Sequence, residues 1–434
     1  MIMNTKIKIY QVVILALFIV KAFLFGVLTT DSPNLFLYGD GGEYEIRALA
    51  LSELGKYGVI EQNSKFSYDT YRLPGYPVFL AMLVSLKNDD QYRLWGAVQL
   101  ILFHVWLFFV ARWIERRFGG RSAICFVSAL SLTLSWIHYV MVIHADFQFA
   151  VLVFSGFLFL VTAAETRKTG HMACAGLCMA AAALTRPDLV FFWAWLLIML
   201  VAFRVFFFYS RREDMEEQFL CYIKPITVTA ISVLVAIIGW TARNYIVASK
   251  LVYTSVTSTV NRMFSDNLDV VAMGAAPNDS LLETVHLIFL NGWIIIQNFP
   301  PSLAQLFFNP GRWYFHLYLK GLGVDVDTID VPLNDLQFAD IPALEMVYMA
   351  FVWSLSLIIF IGFLWYVFKC IRGSVRENFA PICLCLWITM YFILQKGIWG
   401  SLTPGIGPRY AMSIYPFLVF LGALTFSNYE KNPQ

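Results

Sequence analysis

Apolar residues run along this chain in long blocks, and charge is confined to short intervals between them. A helix needs about 20 apolar residues to cross the hydrocarbon core of a bilayer. By that rule spans are expected near 9–28, 94–112, 122–142, 147–164, 172–185, 188–208, 222–242, 343–368, 378–395 and 410–427. The pattern predicts an all-α polytopic membrane protein with about ten transmembrane helices. The first block follows Lys6 and Lys8 and runs to Leu28, which resembles a signal peptide. It is close to the length of a full span, and no A-x-A-like cleavage site precedes Asp31, so a retained signal anchor is expected.

The short basic intervals give an orientation. Arg112, Arg116, Arg117 and Arg121 follow the second block, Arg167 and Lys168 the fourth, Arg211 and Arg212 the sixth, and Lys369, Arg372 and Arg376 the eighth. All fall on the side of the N-terminus, which the positive-inside bias assigns to the cytoplasm, together with the C-terminus. The apolar run 76–86 is only about half as long as a crossing requires. Counting it as a span would put the Arg112–Arg121 cluster outside, so it is expected to lie along the outer interface. Residues 29–93 then form a long first external loop with interfacial helices, one of them around Glu43 to Leu54. A second external region covers 243–342, where Asn298, Pro300, Pro301, Asn309 and Pro310 interrupt apolar pieces at 281–297 and 300–320 that read as interfacial or re-entrant helices.

Composition fits a protein solvated by lipid. Of 434 residues, 59% are hydrophobic, 17% aromatic and 14% charged, with a mean hydropathy of +0.66. The net charge of +2 gives no reason to expect a nucleic-acid partner. Cys125, Cys174, Cys178, Cys221, Cys370, Cys383 and Cys385 lie in apolar runs or at their cytoplasmic ends, and no disulfide is expected. Cys174 and Cys178 share a helix face, and packing is the simpler role for them than metal binding.

Ionisable groups near hydrocarbon are costly and are usually kept for a partner or a substrate. Several collect at the ends of the spans assigned to the outer side. Tyr38-Gly39-Asp40-Gly41-Gly42-Glu43-Tyr44 follows the first span, His144-Ala145-Asp146 ends the third and Thr185-Arg186-Pro187-Asp188 ends the fifth. Gly239-Trp240-Thr241-Ala242-Arg243-Asn244-Tyr245 ends the seventh, and Pro408-Arg409-Tyr410 precedes the last. Carboxylates beside arginines at a membrane surface suit displacement of a phosphate from a lipid-carried sugar: the carboxylate takes the proton of the attacking hydroxyl, and guanidinium groups hold the leaving phosphate. Each group also has a plainer role open to it. Asp40 and Glu43 could form a capping-box-like helix start, Asp146 could cap the fourth span, and Arg186 and Arg243 could be interfacial anchors. Lys21, His104 and Arg204 fit a snorkelling or interior hydrogen-bonded set.

At these residues the sequence resembles the GT-C superfamily of polyprenyl-phosphate-sugar-dependent glycosyltransferases, in particular the bacterial branch related to protein O-mannosyltransferases and the aminoarabinose transferases of lipid A. The elements are Asp40-Gly41-Gly42-Glu43-Tyr44 with Ala48 and Leu51, Arg72-Leu73-Pro74-Gly75-Tyr76-Pro77, Ala183-Leu184-Thr185-Arg186-Pro187, the stretch from Gly239 to Tyr245, and Arg409-Tyr410 with Pro416. The resemblance is strongest over 38–265 and implies a GT-C fold made of a single transmembrane domain spanning 1–434, with no separate soluble C-terminal domain. It also implies inverting transfer at the outer face of a bacterial inner membrane, from a polyprenyl-phosphate sugar to an acceptor lipid, glycan or protein. Asp40 matches the first-loop acid, a general base or a ligand for an assisting cation. Asp146, the second catalytic candidate, stands where relatives usually carry Glu after the third span, Arg186, Arg243 and Arg409 match basic positions for the lipid phosphate, and Glu43 and Arg72 complete the substrate-binding set. Gly239 replaces a usual Pro. A divalent cation such as Mg²⁺ or Mn²⁺ is compatible with these acids, but no dedicated ligand cluster stands out. Two other classes compete: a transporter or flippase for a lipid-linked sugar, and an inactive relative acting as an assembly partner.

Overall fold

The computed structural model describes residues 8–31, 40–60, 65–84, 91–210, 213–249, 251–254, 297, 299–300, 343–371, 379–402 and 412–426. The chain is an all-α polytopic membrane protein. Each of the expected spans coincides with helix: α1 (Ile9–Asp31), α4 (Gln91–Phe118), α5 (Gly120–Leu132) with the short α6 (Leu134–Tyr139), α7 (Ala145–Thr166), α8 (Thr169–Thr185), α9 (Phe192–Ser210), α10 (Glu213–Ala248), α11 (Ala343–Ile371), α12 (Phe379–Leu402) and α13 (Tyr415–Ala423). The intervening loop carries α2 (Gly41–Leu54), the strands β1 (Gly58–Ile60) and β2 (Phe66–Tyr68), and α3 (Gly75–Val84).

Among the described residues, six helical segments are long and apolar enough to cross a bilayer on their own: Ile9–Gly26, Tyr92–Phe118, Ala145–Thr166, Pro187–Val205, Phe219–Ala248 and Ala380–Gly397. The expected span 122–142 is one correction, because the helix breaks at Thr133, whose backbone is extended (φ −65°, ψ 124°). The Thr133 hydroxyl donates back to the Ala129 carbonyl at 2.7 Å, so the side chain competes for the helical ladder where the break occurs. One local feature was not anticipated: β1 and β2 pair antiparallel, Gly58 opposite Tyr68 and Ile60 opposite Phe66, inside the loop expected to contain interfacial helices. The last span is helical over Tyr415–Ala423 and ends in a 3-10 turn over Leu424–Phe426. The re-entrant pieces expected within 281–320 lie almost wholly outside the described residues.

Side-chain pairs fix the relative directions of the helices. On α4, Trp106 and Trp113 are two turns apart and donate to Ser155 and Thr162 of α7, each at 3.0 Å, so α4 and α7 run parallel. The chain therefore returns between them through α5 and α6. Lys8, at the start of α1, pairs with Glu115 near the end of α4 at 3.1 Å, which makes α1 and α4 antiparallel. The loop between them begins and ends at the same end of the pair, and α3 within it is ten residues long. Ala-rich α8 packs between α7 and α10, where small side chains let the backbones approach. Aromatic rings fill the space above and below: Trp106 stacks on Trp136 at 5.8 Å, and Phe154 contacts Phe126, Phe157, Phe417 and Phe420.

Candidate functional site

The loop after α1 folds around charge. Helix α2 begins at Gly41 with Asp40 as the preceding residue, and it ends at Gly55 in the left-handed region (φ 63°), which glycine reaches without a Cβ clash. The capping alternative is not realised, because the Asp40 side chain makes no cap hydrogen bond. Its carboxylate meets Arg72 instead, with Nη2 to Oδ1 at 2.7 Å, and Arg72 Nε donates to Glu43 Oε2 at 2.7 Å. One guanidinium thus joins the two acids of the first motif to the arginine of the second. The Asp40 and Glu43 side chains keep 24% and 44% of their surface exposed, so this is the open part of the site.

A second ion pair supports it from below. Arg47, one turn after Glu43, donates from Nε to Asp69 Oδ2 at 2.7 Å, and the Asp69 carboxylate also accepts the backbone N–H groups of Tyr71 (3.1 Å) and Arg72 (3.0 Å). Burial alone would raise the Asp69 carboxyl, but the hydrogen bond and charge of Arg47, helped by those two amides, hold it below its ordinary value. This pair shapes the turn that aims Arg72. At Arg72 burial opposes the charge, yet Tyr44, Asp40 and Glu43 outweigh it and keep the guanidinium more firmly protonated than usual.

The turn is then seated against the helices. Gly75 lies so close to the end of α8 that a Cβ there would meet the Thr185 backbone nitrogen at 2.8 Å and the Leu184 carbonyl carbon at 2.9 Å. The next residue after Thr185 is Arg186. Its Nη1 binds Asp146 Oδ1 at 2.5 Å and its Nε binds Asp188 Oδ2 at 2.8 Å. Asp146 Oδ2 in turn lies 2.5 Å from His144 Nδ1, and Asp188 Oδ2 lies 2.7 Å from Lys396 Nζ on α12. These carboxylates are buried, with 4% and 8% of their side chains exposed.

Tyr44 connects the open acids to the buried ones. It is buried, with its ring edge-on to Tyr76 at 5.1 Å and to His144 at 6.3 Å, and the Arg72 guanidinium lies 5.4 Å from its centroid. Burial pushes its hydroxyl up to about 12, and the charges it feels are Arg72 and Asp40 from one group and Arg186 and Asp146 from the other.

The expected residues therefore separate. Asp40, Glu43 and Arg72 form one cluster, and Asp146 and Arg186 form the adjoining buried pair. Arg243 does something else: it donates to the carbonyls of Asp69 (2.6 Å) and Tyr57 (2.7 Å) and to Asn244 Oδ1 (2.9 Å), and it packs over Trp240 at 4.7 Å. It fastens the end of α10 to the first loop through two backbone carbonyls. Arg409 lies outside the described residues. Of the interior set, Lys21 is buried over the Phe103 ring at 4.4 Å, His104 Nδ1 lies 2.8 Å from the Leu100 carbonyl, and Arg204 pairs with Glu216. Arg47, Asp69, Asp188 and Lys396 were not singled out from sequence as site residues. Among the described residues, no group of three or more His, Cys, Asp and Glu side chains could hold a metal ion.

No protein-family model matches the chain, and no curated protein matches it. Among solved structures it is similar to the archaeal oligosaccharyltransferase AglB from Archaeoglobus fulgidus, in complex with an inhibitory peptide and a dolichol-phosphate. The two are 12% identical, with a TM-score of 0.49, over 95% of this chain and 50% of that one. The chain thus spans about half the length of that protein, and a likeness this distant bears on neither substrate nor reaction.

Proposed function

We propose that the chain is a GT-C-type glycosyltransferase, one transmembrane domain that moves a sugar from a polyprenyl-phosphate donor to an acceptor lipid, glycan or protein. The active face is the outer side of a bacterial inner membrane, with both termini cytoplasmic, and the transfer inverts the anomeric centre. The observation that carries this reading is the Arg72 bridge between Asp40 and Glu43, an exposed pair of carboxylates and a guanidinium just beyond the helix ends.

The chemistry follows from that arrangement. The acceptor oxygen attacks the anomeric carbon as the bond from that carbon to the phosphate oxygen breaks, and the bonding pair leaves with the phosphate. Asp40 takes the acceptor proton, and Arg72 stabilises the charge gathering on the leaving group. A donor phosphate competes with Asp40 for the same guanidinium. Donor binding therefore frees the base at the moment it is needed, and Glu43 keeps Arg72 in place through Nε. Asp146 and Arg186 act from beneath as a buried pair that fixes the floor under Tyr44. Arg409 is the remaining candidate for the phosphate, and Arg243 holds the loop. A divalent cation remains compatible with Asp40 and Glu43, and no step above is routed through one.

The test is transfer in membranes containing Asp40→Asn, with a panel of polyprenyl-phosphate sugars and released polyprenyl phosphate as the readout. Loss of about a hundredfold or more is expected for removal of a general base. Near-normal turnover at equal expression would remove Asp40 from the mechanism, and release without any acceptor requirement would count against transfer.

A further inference from the structure

Asp188 is held from four directions, and three of them come from one helix far along the chain. On α12, Tyr391 donates its hydroxyl to the Asp188 carbonyl at 2.6 Å, Gln395 donates to Oδ1 at 3.2 Å, and Lys396 Nζ meets Oδ2 at 2.7 Å. The fourth is Arg186 Nε, at 2.8 Å from the same Oδ2. The helices that carry these groups are locked just below: Trp195 of α9 and Trp387 of α12 stack at 4.7 Å and each donates its indole N–H to the other's carbonyl at 3.0 Å. The Lys396 side chain is 3% exposed, and a lysine so deep at the end of an apolar helix is tolerated only when paired.

Arg186 is shared between two acids, Asp146 through Nη1 and Asp188 through Nε. With Lys396 present, two carboxylates face two cations. Without it, Arg186 would be shared between Asp188 and an Asp146 that otherwise keeps His144 at 2.5 Å, and the charge of Asp188 would draw the guanidinium away from Asp146. We propose that Lys396 is a positioning residue: by carrying the charge of Asp188 it leaves Arg186 to Asp146, and so holds in register the buried pair beneath Tyr44 and Arg72. The inference deepens the glycosyl-transfer reading and rests on it for its kinetic consequence. It makes the C-terminal half of the chain part of the site, through a residue 3% exposed and not itself in contact with substrate.

The experiment compares Lys396→Met, Lys396→Arg and the double variant Lys396→Met with Asp188→Asn, all in the full-length protein. Its first arm is independent of turnover: a hydrophobic carbodiimide reacts with buried carboxyls that are not held in an ion pair, and mass spectrometry reads the modification of Asp146. Protection in the wild type, labelling in Lys396→Met, and renewed protection in Lys396→Arg and in the double variant are expected. Its second arm is release of polyprenyl phosphate from the donor panel. Lys396→Met should lower kcat by about tenfold or more with the donor KM within about threefold, and the double variant should regain most of that loss because both charges are gone. Equal Asp146 labelling in the wild type and Lys396→Met overturns the inference, as does a double variant no better than Lys396→Met at equal amounts of folded protein. The expected labelling pattern across the four proteins, with no polyprenyl phosphate released by the wild type from any donor, defeats the transfer reading alone.

Discussion

Arg72 and Asp40, 32 positions apart in sequence, meet through Nη2 and Oδ1 at 2.7 Å while the same guanidinium reaches Glu43 through Nε. The two bonds come from different nitrogens of one planar group, so Asp40 can be released while Glu43 still holds the arginine. That separation is what a lysine cannot reproduce.

Arg72→Lys tests it. A compact ammonium keeps the charge and loses the fork. Turnover with polyprenyl-phosphate donors should fall by about tenfold or more, since one of two charge-assisted hydrogen bonds is lost, while the amount of folded protein stays near that of the wild type. Steady-state kinetics on purified protein checks this, and wild-type kcat in Arg72→Lys would sink the exchange mechanism.

Gly75→Ala should act on the fold of the site with no change of charge. The added methyl would meet backbone atoms of Leu184 and Thr185 at 2.9 and 2.8 Å, and backbone gives way less readily than a flexible side chain. A destabilisation of about 1–3 kcal/mol is expected from overpacking, read as a lower midpoint of thermal unfolding in detergent. An unchanged midpoint would show that the turn from Arg72 to Gly75 is not seated on α8.

Asp69 gives the first loop a pH limit. Its carboxyl is held below the ordinary value, so the native state binds its proton less readily than the unfolded chain. The stability it contributes is complete above the unfolded value near pH 4 and is lost as pH falls through the lower folded value. Acid titration of thermal stability should therefore show a transition below about pH 4 that Asp69→Asn removes, leaving the variant less stable at neutral pH and nearer the wild type in acid. A parallel pH dependence in the two proteins would count against the Arg47–Asp69 pair.

Orientation is open to chemical labelling. In a cysteine-free background, an impermeant maleimide applied to intact cells should modify Ser52→Cys on exposed α2 and leave Lys168→Cys, at the opposite helix ends, unmodified until the membrane is opened. The reverse pattern would invert the assignment and place the Arg72 cluster inside.

Much of the fold was legible because lipid imposes one rule on every span, and length plus apolarity located the six long apolar helices among the described residues. The expectation that 76–86 does not cross rests on the basic-loop bias, and the structure places the ten-residue helix Gly75–Val84 there. The Thr133 break was not legible, because a threonine in an apolar run carries no warning of where its hydroxyl will turn. In the site, Asp40, Glu43, Asp146, Arg186 and Asp188 stood out as charges at span ends and Arg72 through the family resemblance, but Arg47, Asp69 and Lys396 did not. Asp69 is an ordinary loop acid until Arg47 reaches it, and Arg47 lay one turn after Glu43 as a usable hint. Lys396 offered another, a lone cation near the end of an apolar block. Its partner, 208 positions earlier, could only be supplied by packing. Arg243 shows the opposite limit: a conspicuous arginine at a helix end that the chain uses on carbonyls.

The Asp188 cluster also sets an order of assembly. Gln395 and Asp188 are 207 positions apart, so at about 5–20 residues per second the ribosome delivers α12 some tens of seconds after α9. Until then Asp188 lacks the three α12 groups that hold it in the finished structure, Tyr391, Gln395 and Lys396. The first half of the chain therefore cannot complete its own buried charge cluster, and the last helices finish it.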